Sequence, residues 1–95
     1  MTTSQSSLSG RERRELKSRA KTLPVSVKIG RKGVTETALR ELVRSLQQGQ
    51  GLAKVSFPGD REQRAAMTLQ VEEELGAICI ASTGKTGAFY RALKE

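Results

Sequence analysis

The spacing of apolar positions changes several times along this chain, and each change marks an element. Leu16 and Ala20 stand four apart in the charged segment Gly10 to Lys21, the thin apolar line of a helix that meets a core on one side only. Ahead of it, Leu8-Ser9-Gly10-Arg11-Glu12 has the form of a capping box, with Ser9 as N-cap, Glu12 at the third helical position and Leu8 placed for a hydrophobic staple. Thr22-Leu23-Pro24 ends the helix, because proline disfavours helical geometry in the residue before it. Val25, Val27 and Ile29 then alternate with Ser26 and Lys28, the period-two signature of a strand with one apolar face.

The helical period returns at Ala38, Leu39, Leu42, Val43 and Leu46, behind Thr35 as N-cap and Glu36 in the first turn. This second helix runs to about Gln48, where Gly49 suits a left-handed cap. Leu52 to Phe57 is a second strand with Ala53, Val55 and Phe57 on one parity, and Pro58-Gly59 turns the chain. Asp60 and Gln63 form another capping box, opening a third helix whose Met67, Val71 and Leu75 step by four toward the core; Leu69 lies off that line. Gly76 ends the helix. Ala77 to Ala81 reads as a third strand, Ser82 to Lys85 as a turn, and Thr86 to Arg91 as a fourth strand carrying Phe89 and Tyr90. Gly87 stands there in place of the large apolar residue usual in a strand.

The order α-β-α-β-α-β-β predicts an α/β fold with three helices and a mixed four-stranded sheet. Helical crossovers make neighbouring strands parallel, and the last short turn makes the final pair antiparallel. With the first three strands parallel, the Gly30 to Gly33 loop, the Pro58 to Arg61 turn and the Ser82 to Lys85 turn open at one carboxyl edge. Open α/β sheets place ligands at that edge. Arg61 and Lys85 are then expected to flank Arg31 and Lys32.

Charge sharpens the picture. The chain of 95 residues carries a net charge of +7, with a pI near 10.2, which calls for a polyanionic partner, nucleic acid by default. Residues 1 to 33 hold nine Lys/Arg against Glu12 and Glu15, whereas residues 34 to 95 hold eight of each sign. The whole excess therefore lies in the first third and argues for a localised binding face. On the first helix Arg11, Arg14, Lys17 and Lys21 gather on one flank, and two acids cannot neutralise the six bases of that helix.

Composition also excludes much. The length fits one domain, residues 8 to 95, behind a polar tail, residues 1 to 7, expected to be disordered. No run approaches a membrane span and Met1 to Ser7 lacks the apolar core of a signal peptide, so a soluble cytoplasmic monomer without a membrane partner is expected. The lone Cys79 cannot form an internal disulfide and reads as a buried small hydrophobe. The acidic run Glu72-Glu73-Glu74 reads as a solvated face or as a device that repels nucleic acid from that side.

The candidate chemistry centres on Gly30-Arg31-Lys32-Gly33. A strand-to-helix turn with two glycines exposes backbone amides, the following helix dipole favours an anion, and two cations add full charges. These four residues alone fit plain chain reversal equally well; the charge distribution favours a phosphate grip. Gly84-Lys85-Thr86 is no P-loop, because Cys79 occupies the required glycine position and a strand follows. With no His, one Asp and no nucleophile-base pair, no catalytic residue, metal site, cofactor or small-molecule substrate is expected. The three aromatics, Phe57, Phe89 and Tyr90, leave no platform for stacking bases, so backbone and shape recognition is expected.

Taken together, these motifs resemble the CRM domain (chloroplast RNA splicing and ribosome maturation), and within it the bacterial single-domain YhbY-like proteins. The resemblance rests on the Leu-Ser opening of the first helix, the basic helix before Leu23-Pro24, Ile-Gly-Arg-Lys-Gly-Val-Thr-Glu at 29 to 36, Asp-Arg-Glu at 60 to 62, Glu-Leu-Gly-Ala at 74 to 77, Gly-Lys-Thr at 84 to 86 and Tyr-Arg at 90 and 91. It implies a topology related to the C-terminal domain of translation initiation factor three. It also implies RNA binding through the GxxG loop and the basic surface beside it, and association with precursors of the large ribosomal subunit. The loop residues by position are Gly30, Arg31, Lys32 and Gly33, with Arg11, Arg14, Lys17, Lys21, Arg61 and Lys85 extending the candidate RNA surface. The alternative is a KH-like or general nucleic-acid-binding module unrelated to ribosomes, although in KH domains the GxxG loop joins two helices and here a strand precedes it.

Overall fold

The computed structural model describes residues 9–92. Its elements are α1 (Gly10–Thr22), β1 (Val27–Lys28), α2 (Glu36–Gln48), β2 (Leu52–Ser56), α3 (Arg61–Leu75), β3 (Ile78–Thr83) and β4 (Thr86–Tyr90), in the predicted order. The tail 1–7 and the Leu8 staple lie outside the described residues.

The helix starts form as their sequences require. Ser9 and Glu12 exchange the two hydrogen bonds of a capping box at 3.0 and 3.1 Å. Asp60 and Gln63 do the same at 3.0 and 2.9 Å, and the Thr35 hydroxyl accepts from the Ala38 amide. α3 ends in left-handed Gly76. Gly49 departs from expectation: its φ is −95°, and positive φ falls on Gln50 and Gly51 instead. Glycine is still needed at 49, because a methyl there would overlap the Leu52 carbonyl oxygen.

The sheet order is β1-β2-β4-β3. β1 is parallel to β2, and β4 is antiparallel to both β2 and β3. The crossover through α3 therefore does not set β3 beside β2, as expected of neighbouring strands. The turn at Gly84-Lys85 returns the chain at once, and β4 enters the gap, where its backbone groups find partners on both sides. Two antiparallel steps restore direction, so β1, β2 and β3 all point the same way and their carboxyl ends share one rim.

β1 is shorter than the apolar alternation implies. Val25 is 38% exposed, and pairing begins only where the Ser26 amide donates to the Lys54 carbonyl at 2.9 Å. A short edge strand offers little unpaired backbone to other chains.

Two apolar layers sandwich the sheet. On one face, Leu42, Leu46 and Ala38 of α2 and Val71 of α3 bury Val27, Ile29, Ala53, Val55, Phe57 and Phe89, with Met67 and Leu75 half-buried at the margin. On the other, α1 applies only Leu16 and Ala20, which meet Leu52, Ile80 and Ala88. A register shift between Cys79 and Ala81 turns both Ile80 and Ala81 toward α1. Leu69, off the core line of α3, is 59% exposed.

Cys79 is half-buried, not fully enclosed as its apolar neighbours suggested, because the strand irregularity lies beside it. Its amide donates to Glu72 Oε2 at 2.9 Å and its thiol to the Ala81 carbonyl at 3.5 Å. The acidic run is thus a structural contact at Glu72, while Glu73 and Glu74 remain exposed. Arg91 donates to the Leu75 carbonyl at 3.1 Å, placing a cation where the α3 dipole ends.

Gly87 is explained by the aromatic pair beneath it. Phe57 and Phe89 meet edge to face with centroids 6.1 Å apart, and a β-carbon at 87 would already touch both at 3.4 Å. Alanine therefore fits and nothing larger does. Gly87→Leu is expected to lower stability by about 1 to 3 kcal/mol through overpacking, with Gly87→Ala changing it much less, as read by urea unfolding. Burial, then the Glu72 carboxylate, raise the Cys79 pKa above its ordinary value of 9.0. The folded chain therefore holds this proton after the unfolded chain has released it, so stability falls as pH rises past that value. Cys79→Ala is expected to show a shallower decline of the urea midpoint on the alkaline side than the native chain.

Candidate nucleic-acid interface

Gly30-Arg31-Lys32-Gly33 closes as a tight turn at the end of β1. The Gly33 amide donates to the Gly30 carbonyl at 2.9 Å, and Gly33 adopts a φ of +83°, which favours glycine. The expectation that every amide of the turn points outward unpaired is thus corrected at Gly33. The amides of Arg31 and Lys32, at the tip, have no partner within the described residues. No atom lies within 4 Å of where a β-carbon would stand on Gly30 or Gly33, so the turn is open to close approach. Below it, buried Ile29 and half-buried Val34 anchor both ends to the core. The dipole argument weakens, since Val34 and Thr35 separate the turn from α2 and Thr35 already occupies the Ala38 amide.

The neighbouring strand ends adjoin this turn through two hydrogen bonds. The Ile29 amide donates to the Ser56 carbonyl and the Phe57 amide to the Lys85 carbonyl, both at 2.8 Å. The rim thus runs from the glycine turn through the end of β2 to the β3–β4 hairpin, about 10 Å at one strand spacing per step.

Two clefts flank that hairpin. The one on the α3 side, of about 340 Å³, is lined by Arg61, Arg64, Thr68, Ser82, Lys85 and Thr86 among others. The one on the α1 side, of about 230 Å³, is lined by Lys17, Lys21, Lys54, Ser82, Thr83 and Thr86 among others. Arg61 and Lys85 therefore meet in one cleft, and Lys17 and Lys21 in the other. Arg14 and Arg11 enter neither; they are exposed on α1 upstream of Lys17, and the Arg14 Nε donates to the Gly10 carbonyl at 3.5 Å. Arg31 and Lys32 line neither cleft and occupy the β1 end of the rim.

The clefts add residues the sequence reading passed over. Arg64 follows Arg61 by three and so shares its helix face, a signal that was available. Lys54 alternates outward from the apolar positions of β2, but its place beneath α1, where its Nζ donates to the Ala20 carbonyl at 3.1 Å, needed the packing.

Several cations gather at this rim without an ion-pair partner among the described residues. Among the described residues, the ion pair within 4 Å is Glu36–Arg40 on the exposed face of α2. Arg31, Lys32, Lys17, Lys21, Arg61 and Lys85 have no carboxylate so placed. Of the acids at this end, Asp60 caps α3 through its carboxylate, Glu36 in the first turn of α2 pairs with Arg40, and Glu62 lies off the helix face of Arg61 and Arg64. The acidic run stands at the far end of α3. The arrangement offers amide and cationic donors to anionic oxygens. Among the described residues no cluster of side chains could hold a metal, and no helix is long and apolar enough to cross a membrane.

The fold recurs in a solution structure of a hypothetical Staphylococcus aureus protein put forward as RNA-binding. It superposes with a TM-score of 0.77 at 22% sequence identity, over 93% of this chain and 92% of that one. The family model for the CRS1/YhbY (CRM) domain matches residues 8–91, nearly the whole chain, including the glycine turn, both capping boxes and the hairpin. On that match, the chain belongs to the CRS1/YhbY (CRM) domain family.

Proposed function

We propose that this protein is an RNA-binding module, not an enzyme, and that it holds the sugar-phosphate backbone of a structured RNA at the carboxyl rim of its sheet. The observation that carries this is the set of uncompensated cations around an open turn with two unpartnered amides. Arg31, Lys32 and the tip amides bind phosphate oxygens; Lys17, Lys21, Arg61 and Lys85 extend the contact, with Arg14 and Arg11 farther along α1. Family membership supports RNA as the partner. Phe57 and Phe89 are 3% and 0% exposed, so the described aromatics offer at most Tyr90 to a base, which favours backbone and shape over stacking.

The RNA is ribosomal and belongs to large-subunit precursors, the protein acting in the cytoplasm as a monomer during ribosome assembly. This finer reading follows the family resemblance and not the geometry. Sedimentation of cell extract on a sucrose gradient checks it: the protein is expected with large-subunit precursors, and its presence only in the free fraction would reject the assembly role.

Arg31→Ala combined with Lys32→Ala is expected to weaken RNA binding by about 2 to 4 kcal/mol at low salt, at roughly 1 to 2 per charged phosphate contact. Filter binding measures this; unchanged affinity excludes the turn as the site. A salt-dependent competition between ribosomal RNA and duplex DNA separates this reading from a general nucleic-acid module, which binds both alike.

A further inference from the structure

The β3–β4 hairpin is more than one side of a cleft, because it is shared by two. Ser82 and Thr86 line both cavities, which open on opposite faces of the sheet, one beneath α1 and one beside α3. Each cavity brings its own cations, Lys17 and Lys21 on one side and Arg61 and Lys85 on the other, with no carboxylate within 4 Å of them among the described residues. A ridge with a cationic trough on either flank is complementary to two backbones lying side by side.

The hairpin has the shape for that position. Its turn is only Gly84-Lys85; Gly84 has a φ of +58°, and nothing lies within 4 Å of where its β-carbon would stand. Ser82, Thr83, Gly84 and Lys85 are all exposed. The hydroxyls of Ser82 and Thr83 near the tip, and the acceptor side of the Thr86 hydroxyl, which donates to the Thr83 carbonyl at 2.9 Å, suit the 2′-hydroxyls that line the wide, shallow groove of an A-form helix. The deep groove of that helix is too narrow for two strands about 4.8 Å apart with their side chains.

Resting on the RNA-binding reading above, we infer that the hairpin is a wedge seated in the shallow groove of double-helical RNA. The α1-side cleft receives the phosphates of one strand and the α3-side cleft those of the other. The glycine turn, at the β1 end of the rim, holds backbone farther along the same helix.

The test compares an RNA duplex, one of its strands alone and a DNA duplex of the same sequence, by fluorescence anisotropy across a salt series. The proteins are the native chain, Lys17→Ala/Lys21→Ala, Arg61→Ala/Lys85→Ala, the four-fold combination and Arg31→Ala/Lys32→Ala. Thermal unfolding establishes that each variant is folded; all these positions are exposed. The native chain is expected to prefer duplex RNA at least tenfold over the other two. Each cleft pair is expected to cost about ten- to a hundredfold on duplex RNA and to lower the salt slope by about two, with the losses multiplying in the combination.

Either cleft pair leaving duplex affinity and salt slope unchanged, while Arg31→Ala/Lys32→Ala weakens binding, overturns the wedge and leaves RNA binding intact. Equal affinity for the single strand and the duplex also overturns it, since one backbone cannot fill both troughs. A native chain that binds none of the RNAs removes the underlying reading and the wedge with it.

Discussion

The structure depends on a single insertion. β4 pairs with β2 along Leu52↔Tyr90 to Ser56↔Thr86 and with β3 along Ile78↔Tyr90 to Thr83↔Thr86, so it carries hydrogen bonds on both edges at once. Phe89 of this strand is fully buried against the α2 and α3 layer, while Ala88 at its centre meets α1. Removing β4 would leave β3 unpaired and part the two halves of the core. The insertion also sets direction: with one antiparallel strand in the middle, three carboxyl ends arrive at one rim.

That rim gathers cations from α1, the glycine turn, α3 and the β3–β4 hairpin. Arginines at both ends donate to backbone carbonyls: Arg64 to Gly59 at 2.8 Å beside the rim, and Arg91 to Leu75 and Arg19 to Gly49 at 3.1 and 3.3 Å at the amino ends of the strands. There, too, Glu72 is drawn into the fold by the Cys79 amide. At the carboxyl rim Asp60 is held by its own cap and Glu36 pairs with Arg40, so among the described residues no carboxylate lies within 4 Å of Lys17, Lys21, Arg31, Lys32, Arg61 or Lys85. Leaving these charges unpaired costs self-repulsion, which a counter-charged ligand relieves.

Much of the secondary structure was legible in the chain because it is enforced locally. Capping boxes at Ser9 and Asp60, the Thr35 cap, the proline after Leu23 and the glycine after Leu75 act over three or four residues, and each element begins or ends as these residues require. Apolar periodicity was equally reliable on α2, where Ala38, Leu42 and Leu46 are buried. It failed where pairing decided the outcome. Val25 continues the alternation but has no partner strand to bury it, and Cys79 sits in an apolar run but at a register shift. Gly87 looked like a defect until the Phe57 and Phe89 rings were placed against it.

By itself, the order of residues determined the elements, their caps, the basic first third of the chain and an open glycine turn after β1, because all of these are set by neighbours within a few positions. Only the tertiary structure decided that β4 lies between β2 and β3. From this follow the two clefts on either side of the hairpin and the meeting of Lys17 with Lys21 in one, and Arg61 with Lys85 in the other. The physical reason is that strand order is chosen by which backbone edges remain unpaired once the core closes, and spacing along the chain carries no record of that competition.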